Sequence, residues 1–379
     1  MAESYDVVVI GAGVFGAWIA HRLRSSGRSV ALLDAYGAGN NRSSSGDESR
    51  IIRMGYGANE IYTRWATHSL DLWIEIFDRA GQPELFQNTG VLWTAPPGDP
   101  RTVQTLGTLE KCGSTFQRWE AAELGARFPQ FQFSSERMAI FEPGSGVLLA
   151  RRAVRTVVEE AVRNGVDYFR AAALAPDAGA VRTNTAQTLH AGAFVYACGP
   201  WLPKVFPTLL AGRIRPTRQE VFYFGTPTGD RRFTLPEMPA WIDFSDERGP
   251  YGLPDIESRG IKLGFDRHGP DFDPDIGERI ATGVDAARAF LAERIPALAG
   301  APLLESRVCQ YENTSTGDFL IDRHPDLPNV WLVGGGSGHG FKHGPMVGEY
   351  VAARMDGSAD AEPRFSLAAK TRAEERAVY

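Results

Sequence analysis

The sequence feature that most constrains the fold is a glycine-rich segment, Gly11 to Gly16, directly after a short β-branched run. That run, Val7 to Ile10, is long enough for a buried parallel strand and too short for a helix. The pattern Gly-x-Gly-x-x-Gly allows a tight turn, a close approach of backbone to a ligand, and close packing of the next helix. Its three glycines are Gly11, Gly13 and Gly16. The segment therefore predicts a strand, a ligand-binding turn and a helix, in that order.

The residues after the glycines complete the pattern of a dinucleotide-binding unit. Helical spacing runs from Val14 to Ser25, and Val30 to Leu33 predicts a second strand that ends at Asp34. The helix N-terminus would bind a pyrophosphate, and the Asp34 carboxylate would accept hydrogen bonds from an adenosine ribose. A carboxylate there disfavours NADP, because it would repel the 2′-phosphate. We predict a dinucleotide site, against the alternative of an incidental tight turn, and this stretch leaves FAD and NAD open.

Composition limits the remaining possibilities. The 379 residues allow two or three domains, and 43% hydrophobic with 23% charged residues is ordinary for a soluble globular protein. A net charge of −6 argues against a nucleic-acid partner. There is no secretory signal and no apolar stretch of ~18 residues, so we expect a cytoplasmic protein without a membrane span. Three distant cysteines, Cys112, Cys198 and Cys309, favour neither a disulfide framework nor a metal cluster.

The rest of the chain predicts an α/β protein of two interleaved parts, a Rossmann-like cofactor-binding domain and a β-rich substrate domain. Helical stretches near 59–80 and 151–164, and a buried strand at Val330 to Val333, have the character of the first part. Residues 215–298 pass through several β-like runs, which belong to the second part. The predicted boundaries place residues 1–80, 145–212 and 300–379 in the cofactor-binding domain, and residues 81–144 and 213–299 in the substrate domain.

Two arginines after the first unit are candidates for binding a carboxylate. Arg50 and Arg53 lie three residues apart, after a loop rich in Gly, Asn and Ser at 37–49. Arginine grips a carboxylate through two parallel hydrogen bonds. From this stretch alone, a surface ion pair is the more common situation. A ligand pocket is expected where the β-rich part covers the carboxyl ends of the parallel strands.

A second glycine-rich stretch, Ser337 to Lys342, lies between a buried strand and the start of a helix. Gly338 and Gly340 would allow close approach to a planar ring, and the helix N-terminus would stabilise negative charge on a reduced flavin. Lys342 would be a second cation for a substrate carboxylate. The alternative is a glycine-rich turn with a solvated Lys342 and a helix-capping His339.

Two further side chains are candidates with plain structural alternatives. Lys262 lies in the middle of the apolar run Gly260 to Phe265, and a strand lysine on an exposed face is the commoner case. If Lys262 is buried, desolvation lowers its pKa, and such lysines are usually functional. Cys309, considered alone, is typical of an inert buried thiol.

Taken together, these segments resemble the monomeric sarcosine oxidase group of the D-amino-acid-oxidase superfamily of flavoproteins, which includes N-methyltryptophan oxidase and pipecolate oxidase. Each segment is short, but their joint occurrence in order along the chain is specific. The matching segments are Gly11 to Gly16 with Asp34, Ser49 to Arg53 with Tyr56 and Gly57, Tyr251 to Pro254, Lys262 to Gly264, Cys309 with Tyr311, Phe319 to Asp322, and Ser337 to Lys342.

The resemblance implies FAD rather than NAD, with the flavin attached covalently through the sulfur of Cys309. It implies that Arg53 and Lys342 bind the substrate carboxylate, and that the charge of Lys262 helps oxygen accept electrons. The implied reaction oxidises a secondary or cyclic amino acid to an imine and reduces O2 to hydrogen peroxide, and we expect a monomer. Further residues implied at the site are Ser49 at the cofactor, Arg50 near the flavin ring, and Tyr251, Tyr311 and His339 around the pocket.

Two departures leave the particular amine open. Phe265 is followed by Asp266 where the sarcosine oxidases have a histidine, and Met54 stands where they often have another histidine.

The alternative functions are an FAD-dependent dehydrogenase with a non-oxygen acceptor, a nicotinamide-dependent dehydrogenase, and a non-catalytic protein that keeps FAD as a structural ligand. Retention of the arginine, the two lysines and the cysteine named above favours the oxidase.

Overall fold

A computed structural model of the chain describes residues 3–133, 136–174 and 179–372. These residues form the mixed α/β fold that the sequence predicts. The strands are β1 (Glu3–Ile10), β2 (Val30–Leu33), β3 (Arg50–Ile52), β4 (Phe86–Gln87), β5 (Val91–Ala95), β6 (Gln117–Glu120), β7 (Met138–Glu142), β8 (Gly146–Leu148), β9 (Asp167–Phe169), β10 (Ala180–Arg182), β11 (Thr188–Tyr196), β12 (Ile214–Phe224), β13 (Ala240–Asp243), β14 (Pro250–Leu253), β15 (Ile261–Phe265), β16 (Leu303–Thr314), β17 (Leu320–Arg323) and β18 (Val330–Gly334). The α-helices are α1 (Val14–Ser25), α2 (Glu60–Ala80), α3 (Pro100–Lys111), α4 (Ala121–Arg127), α5 (Ala150–Arg163), α6 (Leu202–Val205), α7 (Pro207–Leu210), α8 (Val284–Arg294) and α9 (Gly344–Asp356).

The first sheet is built around β1 and is mainly parallel. Its strand order is β17-β18-β11-β1-β2-β9, and β10 pairs with β11. β1 pairs in parallel with β2 and β11, and β11 pairs in parallel with β18. Both faces of these strands are covered, because every residue from Val7 to Ile10 and from Val30 to Leu33 is buried. β9 also pairs in parallel with β2, so the carboxyl ends of five parallel strands meet at one edge of the sheet.

The second sheet has the order β16-β12-β15-β14-β13-β5-β7-β6 and pairs antiparallel except between β13 and β5. Its two long strands, β12 and β16, pair along almost their whole length. A small third sheet, β3-β8-β4, contains the first candidate arginine, Arg50. This sheet architecture brings Lys262 on β15 and Cys309 on β16 to either side of β12.

Close helix packing fixes the C-terminal glycine-rich stretch against the first helix. A Cβ added at Gly344 would lie 2.6 Å from Val14 Cγ2, and one at Gly348 would lie 2.7 Å from the Trp18 carbonyl oxygen. Only glycine lets α9 approach α1 this closely. The residues just before α9 are therefore held beside the N-terminus of α1.

The predicted helix Val14–Ser25 and strand Val30–Leu33 are confirmed at their predicted bounds. Helices α3 and α8 and the short helices α6 and α7 were not predicted, and α8 lies inside the stretch predicted to be β-like. Its buried residues Ala287, Phe290 and Leu291 have helical spacing and pack in the core beneath the second sheet. The predicted domain boundaries stay a prediction, although β16 pairs with β12 rather than with the first sheet. Within the described ranges, no helix is long and apolar enough to cross a membrane.

Candidate active site

A cleft with an empty volume of about 1420 Å³ opens at the edge where the parallel strands end. It is lined by residues at the carboxyl ends of β1, β2, β11 and β18, which are Ile10, Leu33, Tyr196 and Val333. In open α/β sheets this edge is where nucleotide ligands bind.

The glycine-rich turn lines the cleft and has no room for side chains at two of its positions. Gly11 has φ of +105°, and a Cβ there would lie 2.3 Å from the Ala197 carbonyl oxygen. A Cβ at Gly16 would lie 1.8 Å from the Gly11 carbonyl oxygen. Gly13 directly precedes α1 and faces the cleft, and the Val14 N–H donates to Ser45 Oγ at 3.1 Å. The turn thus presents backbone and a positive helix end to a ligand.

Asp34 lies at the cleft, and its carboxylate holds the neighbouring turns. Its Oδ2 accepts a hydrogen bond from the Ala12 N–H at 2.8 Å, and its Oδ1 accepts from the N–H groups of Tyr36 and Gly37, each at 2.8 Å. Burial raises the pKa of Asp34. The predicted hydrogen bonds to a ribose stay a prediction, and the carboxylate also orders the glycine-rich turn.

Glu312 is a carboxylic acid inside the cleft that sequence analysis did not identify. Its Oε1 accepts a hydrogen bond from the Gly336 N–H at 3.2 Å, and its Oε2 is buried without a partner in the described part of the chain. Burial raises the pKa of Glu312 to about 7. A buried polar atom that lacks a partner and lines a cleft indicates a polar ligand there.

A second cavity, with an empty volume of about 1400 Å³, adjoins the cleft. Arg50, Tyr311, Gly338 and Phe341 line both spaces. At their junction Gly338 has φ of +81°, and a Cβ there would lie 2.7 Å from the Tyr311 ring. The residues present fit FAD, because the end of α1 suits a pyrophosphate, Glu312 suits hydroxyl groups, and the open junction suits a planar ring.

A buried ion cluster occupies one wall of the second cavity. The Lys262 Nζ donates to Asp47 Oδ2 and, at 2.8 Å, to the Ser49 carbonyl oxygen. The Arg50 Nη1 donates to the same Asp47 Oδ2 at 2.8 Å. The Tyr223 hydroxyl donates to Asp47 Oδ1 at 3.0 Å. One carboxylate therefore holds both cations that the resemblance places at the flavin.

Burial and charge compete within this cluster. Burial lowers the pKa of Lys262, Asp47 raises it, and the nearby Arg50 guanidinium lowers it. For Asp47, burial raises the pKa, but Lys262 and Arg50 hold it well below its usual range. Asp47 is ionised at neutral pH, and its charge is what favours the protonated form of Lys262.

Arg53 lies on the opposite side of the cavity between two aromatic rings. Its Cζ is 4.6 Å from the Tyr56 ring centroid and 4.5 Å from the Trp93 ring centroid. Its Nη1 donates to the Gly55 carbonyl oxygen. The Glu142 carboxylate accepts from the Met54 and Gly55 N–H groups and so fixes the backbone beside Arg53. The guanidinium is therefore held in one orientation before any ligand binds.

Lys342 is a second buried cation in the same cavity. Its Nζ donates to the Tyr56 hydroxyl at 2.8 Å and to the His339 carbonyl oxygen at 3.0 Å. The Trp73 indole N–H donates to the Lys342 carbonyl oxygen at 3.0 Å, which fixes the backbone from α2. Burial lowers the pKa of Lys342 well below its ordinary value, and the Arg53 charge lowers it further. An anion bound between the two cations would relieve this repulsion.

Cys309 and the predicted aromatic residues lie along the same cavity. Cys309 and Tyr311, two residues apart on β16, share a face of that strand. The Tyr251 ring lies over Gly264, where a Cβ would be 2.6 Å from Tyr251 Cζ. Burial raises the pKa of the Cys309 thiol, and Asp47 raises it further. His339 Nε2 lies 2.9 Å from the Gly317 carbonyl oxygen, so it binds a loop rather than capping α9.

The structure brings the predicted site residues into two adjoining spaces. The cavity is lined by Ser49, Arg50, Arg53, Tyr251, Lys262, Cys309, Tyr311, Gly338, His339 and Lys342, and the cleft by Gly11, Gly13, Asp34 and Gly340. Gly16 lies behind the turn in α1. The alternatives of a surface arginine pair and of solvated lysines are wrong, because Arg53, Lys262 and Lys342 are buried and Arg50 is bound to buried Asp47.

Sequence analysis missed Asp47, Tyr56 as a partner of Lys342, and Glu312. Asp47 lies in the glycine- and serine-rich stretch predicted only as a loop, and no periodicity there distinguishes a buried acid from a solvated one. Glu312 was overlooked although it directly follows Tyr311, which the resemblance places at the site. β16 is largely polar and holds a second acid, Glu305, so no local pattern distinguishes Glu312 as an acid buried in the cleft.

Comparison with known proteins agrees with this geometry. Residues 6–354 match the family described as FAD dependent oxidoreductase (DAO). The chain is 31% identical over 365 residues to the monomeric sarcosine oxidase of a Bacillus species, covering 93% of this chain and 92% of that protein. It is 26% identical to the N-methyl-L-tryptophan oxidase of Salmonella heidelberg, covering 96% of this chain and 97% of that protein.

Solved structures share the fold over nearly the whole chain. L-proline dehydrogenase from P. horikoshii superposes with a TM-score of 0.83 at 21% identity, covering 97% of this chain and 98% of the other. Glycine oxidase from Geobacillus kaustophilus superposes with a TM-score of 0.78 at 19% identity, covering 97% and 99%. The sequence match and the fold agree, and the chain belongs to the FAD dependent oxidoreductase (DAO) family.

Proposed function

We propose that this protein is an FAD-dependent amine oxidase that oxidises a secondary or cyclic amino acid to an imine and reduces O2 to hydrogen peroxide. The observation that carries the proposal is the pair of buried cations, Arg53 and Lys342, in a cavity that adjoins the cofactor cleft. The sarcosine and N-methyltryptophan oxidases to which the chain is similar support this class of substrate.

The residues of the cavity divide the work of binding and orientation. Bound FAD would supply the redox chemistry, because its flavin can accept a hydride equivalent, which is two electrons and one proton, from the carbon bonded to the amine nitrogen. Arg53 would hold the substrate carboxylate through two parallel hydrogen bonds, and the Lys342 ammonium would provide a second positive charge beside it. The Tyr56 and Trp93 rings hold the planar Arg53 guanidinium in one orientation, so the substrate carbon bonded to the amine nitrogen would be presented in one position.

Lys262 is proposed to place a positive charge where oxygen is reduced. Its ammonium is buried and held by Asp47, so its charge acts in a site of low dielectric constant. This role favours oxygen as the electron acceptor over a dehydrogenase with another acceptor.

The substrate class and acceptor are tested together. N-methyl and cyclic amino acids are screened with the purified protein for hydrogen peroxide release in air and for reduction of an artificial dye without oxygen. Peroxide release at a rate similar to dye reduction would support the oxidase. Dye reduction without peroxide would contradict it and favour the dehydrogenase.

The covalent link through Cys309 is a separate proposal. Its support is the position of the thiol in the cavity, two residues from Tyr311 at the junction with the cleft. After acid precipitation, we expect the yellow colour to stay with the pellet for the wild-type protein and for the matched control Cys198→Ser. We expect Cys309→Ser to release the colour into the supernatant. Release of the colour from the wild-type protein would contradict the covalent link, although FAD would remain the proposed cofactor.

The division of labour between the two large sheets is also a proposal. The cleft lies at the edge of the seven-stranded sheet, which would hold the cofactor, while β12, β14, β15 and β16 of the second sheet line the substrate cavity. We propose that one chain suffices for activity, as the name of the Bacillus monomeric sarcosine oxidase suggests for that protein. Size-exclusion chromatography with light scattering tests this, and activity confined to a dimer would contradict it.

A further inference from the structure

Asp266 is a carboxylate in the substrate cavity to which the reaction described above gives no task. It directly follows β15, four residues after Lys262, so alternation along the strand puts the two side chains on one face, about 13 Å apart. The Tyr311 hydroxyl donates to Asp266 Oδ1 at 3.1 Å, which places the carboxylate next to a residue that lines both the cavity and the cofactor cleft.

The other acids that line the cavity have different partners or positions. They are Asp47, Asp246 and Glu247. Asp47 is bound to Lys262 and Arg50, the Asp246 carboxylate accepts from the Arg248 guanidinium, and Glu247 is exposed. The charges of Glu142 and Asp266 both raise the pKa of Lys342 and of Tyr56, and of these two acids Asp266 is the one that lines the cavity. Asp266 is thus the cavity acid whose field reaches the place proposed for the substrate carboxylate.

An amino acid is a zwitterion at neutral pH, and its nitrogen is bonded to the carbon next to the carboxylate. Two cations that bind the carboxylate repel an ammonium group at this distance, so a site for the whole zwitterion needs a compensating anion. A carboxylate that accepts a hydrogen bond from a tyrosine hydroxyl meets that need, because the hydrogen bond fixes its direction.

We propose that Asp266 is the residue that recognises the positively charged nitrogen of the substrate, and that it selects amino acids over carboxylic acids that lack a cationic nitrogen. The proposal rests on the function proposed above, since it assumes that Arg53 and Lys342 bind the carboxylate. The complex with Asp266 precedes oxidation, for which the nitrogen must release a proton. The histidine expected here in the sarcosine oxidases would bring no fixed negative charge.

Two non-oxidisable ligands of equal shape test the proposal. Trimethylglycine and 3,3-dimethylbutanoate differ only in a cationic nitrogen in place of a neutral carbon. Their dissociation constants are measured by isothermal titration calorimetry on the FAD-loaded protein. We expect the wild-type protein to bind trimethylglycine about tenfold more tightly than 3,3-dimethylbutanoate. Asp266→Asn should reduce this preference to about twofold or less and should bind 3,3-dimethylbutanoate more tightly than the wild-type protein does.

The control is Asp246→Asn, which removes an acid from the same cavity but one paired with Arg248, and we expect it to keep the preference. Asp266→Ser is a second charge-removing variant should the asparagine variant fold poorly. A preference that persists in both Asp266 variants would overturn the proposal, as would equal binding of the two ligands to the wild-type protein. If neither ligand binds the wild-type protein, the carboxylate site itself fails, and with it this proposal.

Discussion

The ammonium of Lys262 forms an ion pair with the carboxylate of Asp47 in a site where the two side chains are 3% and 0% exposed. The same carboxylate binds Arg50. Two buried ionised groups and one partly buried guanidinium thus lie together, and the two buried charges are tolerable only because the opposite charge is present. Asp47 therefore determines both the stability of this wall of the cavity and the charge of Lys262.

Removal of Asp47 should strongly destabilise the protein. Asp47→Asn leaves Lys262 and Arg50 buried without their anion, and we expect a loss of about 3–5 kcal/mol in the free energy of unfolding. Urea unfolding of the FAD-free protein measures this loss. The double variant Asp47→Asn/Lys262→Met should lose less than Asp47→Asn alone, because one stranded cation is removed with the anion. If the double variant lost as much unfolding free energy as Asp47→Asn alone, or more, the coupling between Asp47 and Lys262 would be contradicted.

Removal of the lysine charge should slow the reaction with oxygen. Lys262→Met should slow reoxidation of the reduced enzyme about a hundredfold, and its reduction by substrate much less, since the charge acts on oxygen. Stopped-flow absorbance of the flavin measures the two half-reactions separately. Lys204→Met, which removes an exposed lysine paired with Asp273, is the matched control and should change neither rate. If Lys262→Met slowed flavin reduction and flavin reoxidation equally, the proposed role of Lys262 in the reaction with oxygen would be contradicted.

The Arg53 guanidinium should contribute more to carboxylate binding than a positive charge alone would at that position. We expect Arg53→Ala to weaken binding of a carboxylate inhibitor by about 2 kcal/mol or more, roughly thirtyfold, as judged by perturbation of the flavin spectrum. Arg53→Lys should recover only part of this loss, because lysine lacks the planar fork that Tyr56 and Trp93 hold. Arg101→Ala, at the same cavity, should have a smaller effect. Unchanged affinity in Arg53→Ala would show that the anchor lies elsewhere.

The helix and the second strand of the first βαβ unit could be predicted to the residue because local signals agree there, whereas β1 begins at Glu3, four residues before the predicted Val7. A Cβ at Gly16 would meet the Gly11 carbonyl of the same turn, whereas one at Gly11 would meet the Ala197 carbonyl just after β11. The spacing of apolar residues fixes α1 and β2. The resemblance placed Lys262, Cys309 and Lys342 around one cavity, and the structure brings them there.

The partners of those residues could not be predicted, because they come from distant parts of the chain. Asp47 contacts Lys262 across 215 residues, and Tyr56 contacts Lys342 across 286. Whether a loop acid is buried depends on which strands close over it, and hydrophobic periodicity carries no information about that.

Glu312 should make the stability of the FAD-free protein fall as pH rises. Burial raises its pKa from an ordinary 4.5 to about 7, so between these values the folded state holds a proton that the unfolded chain has released. Stability therefore decreases from about pH 5 to about pH 8, and the ionised form is the less stable one. Glu312→Gln keeps the shape without the charge, and its stability relative to the wild-type protein should increase over this interval by about 2–3 kcal/mol. Urea unfolding at both pH values measures the difference, and a constant difference would show that Glu312 does not titrate in the cleft.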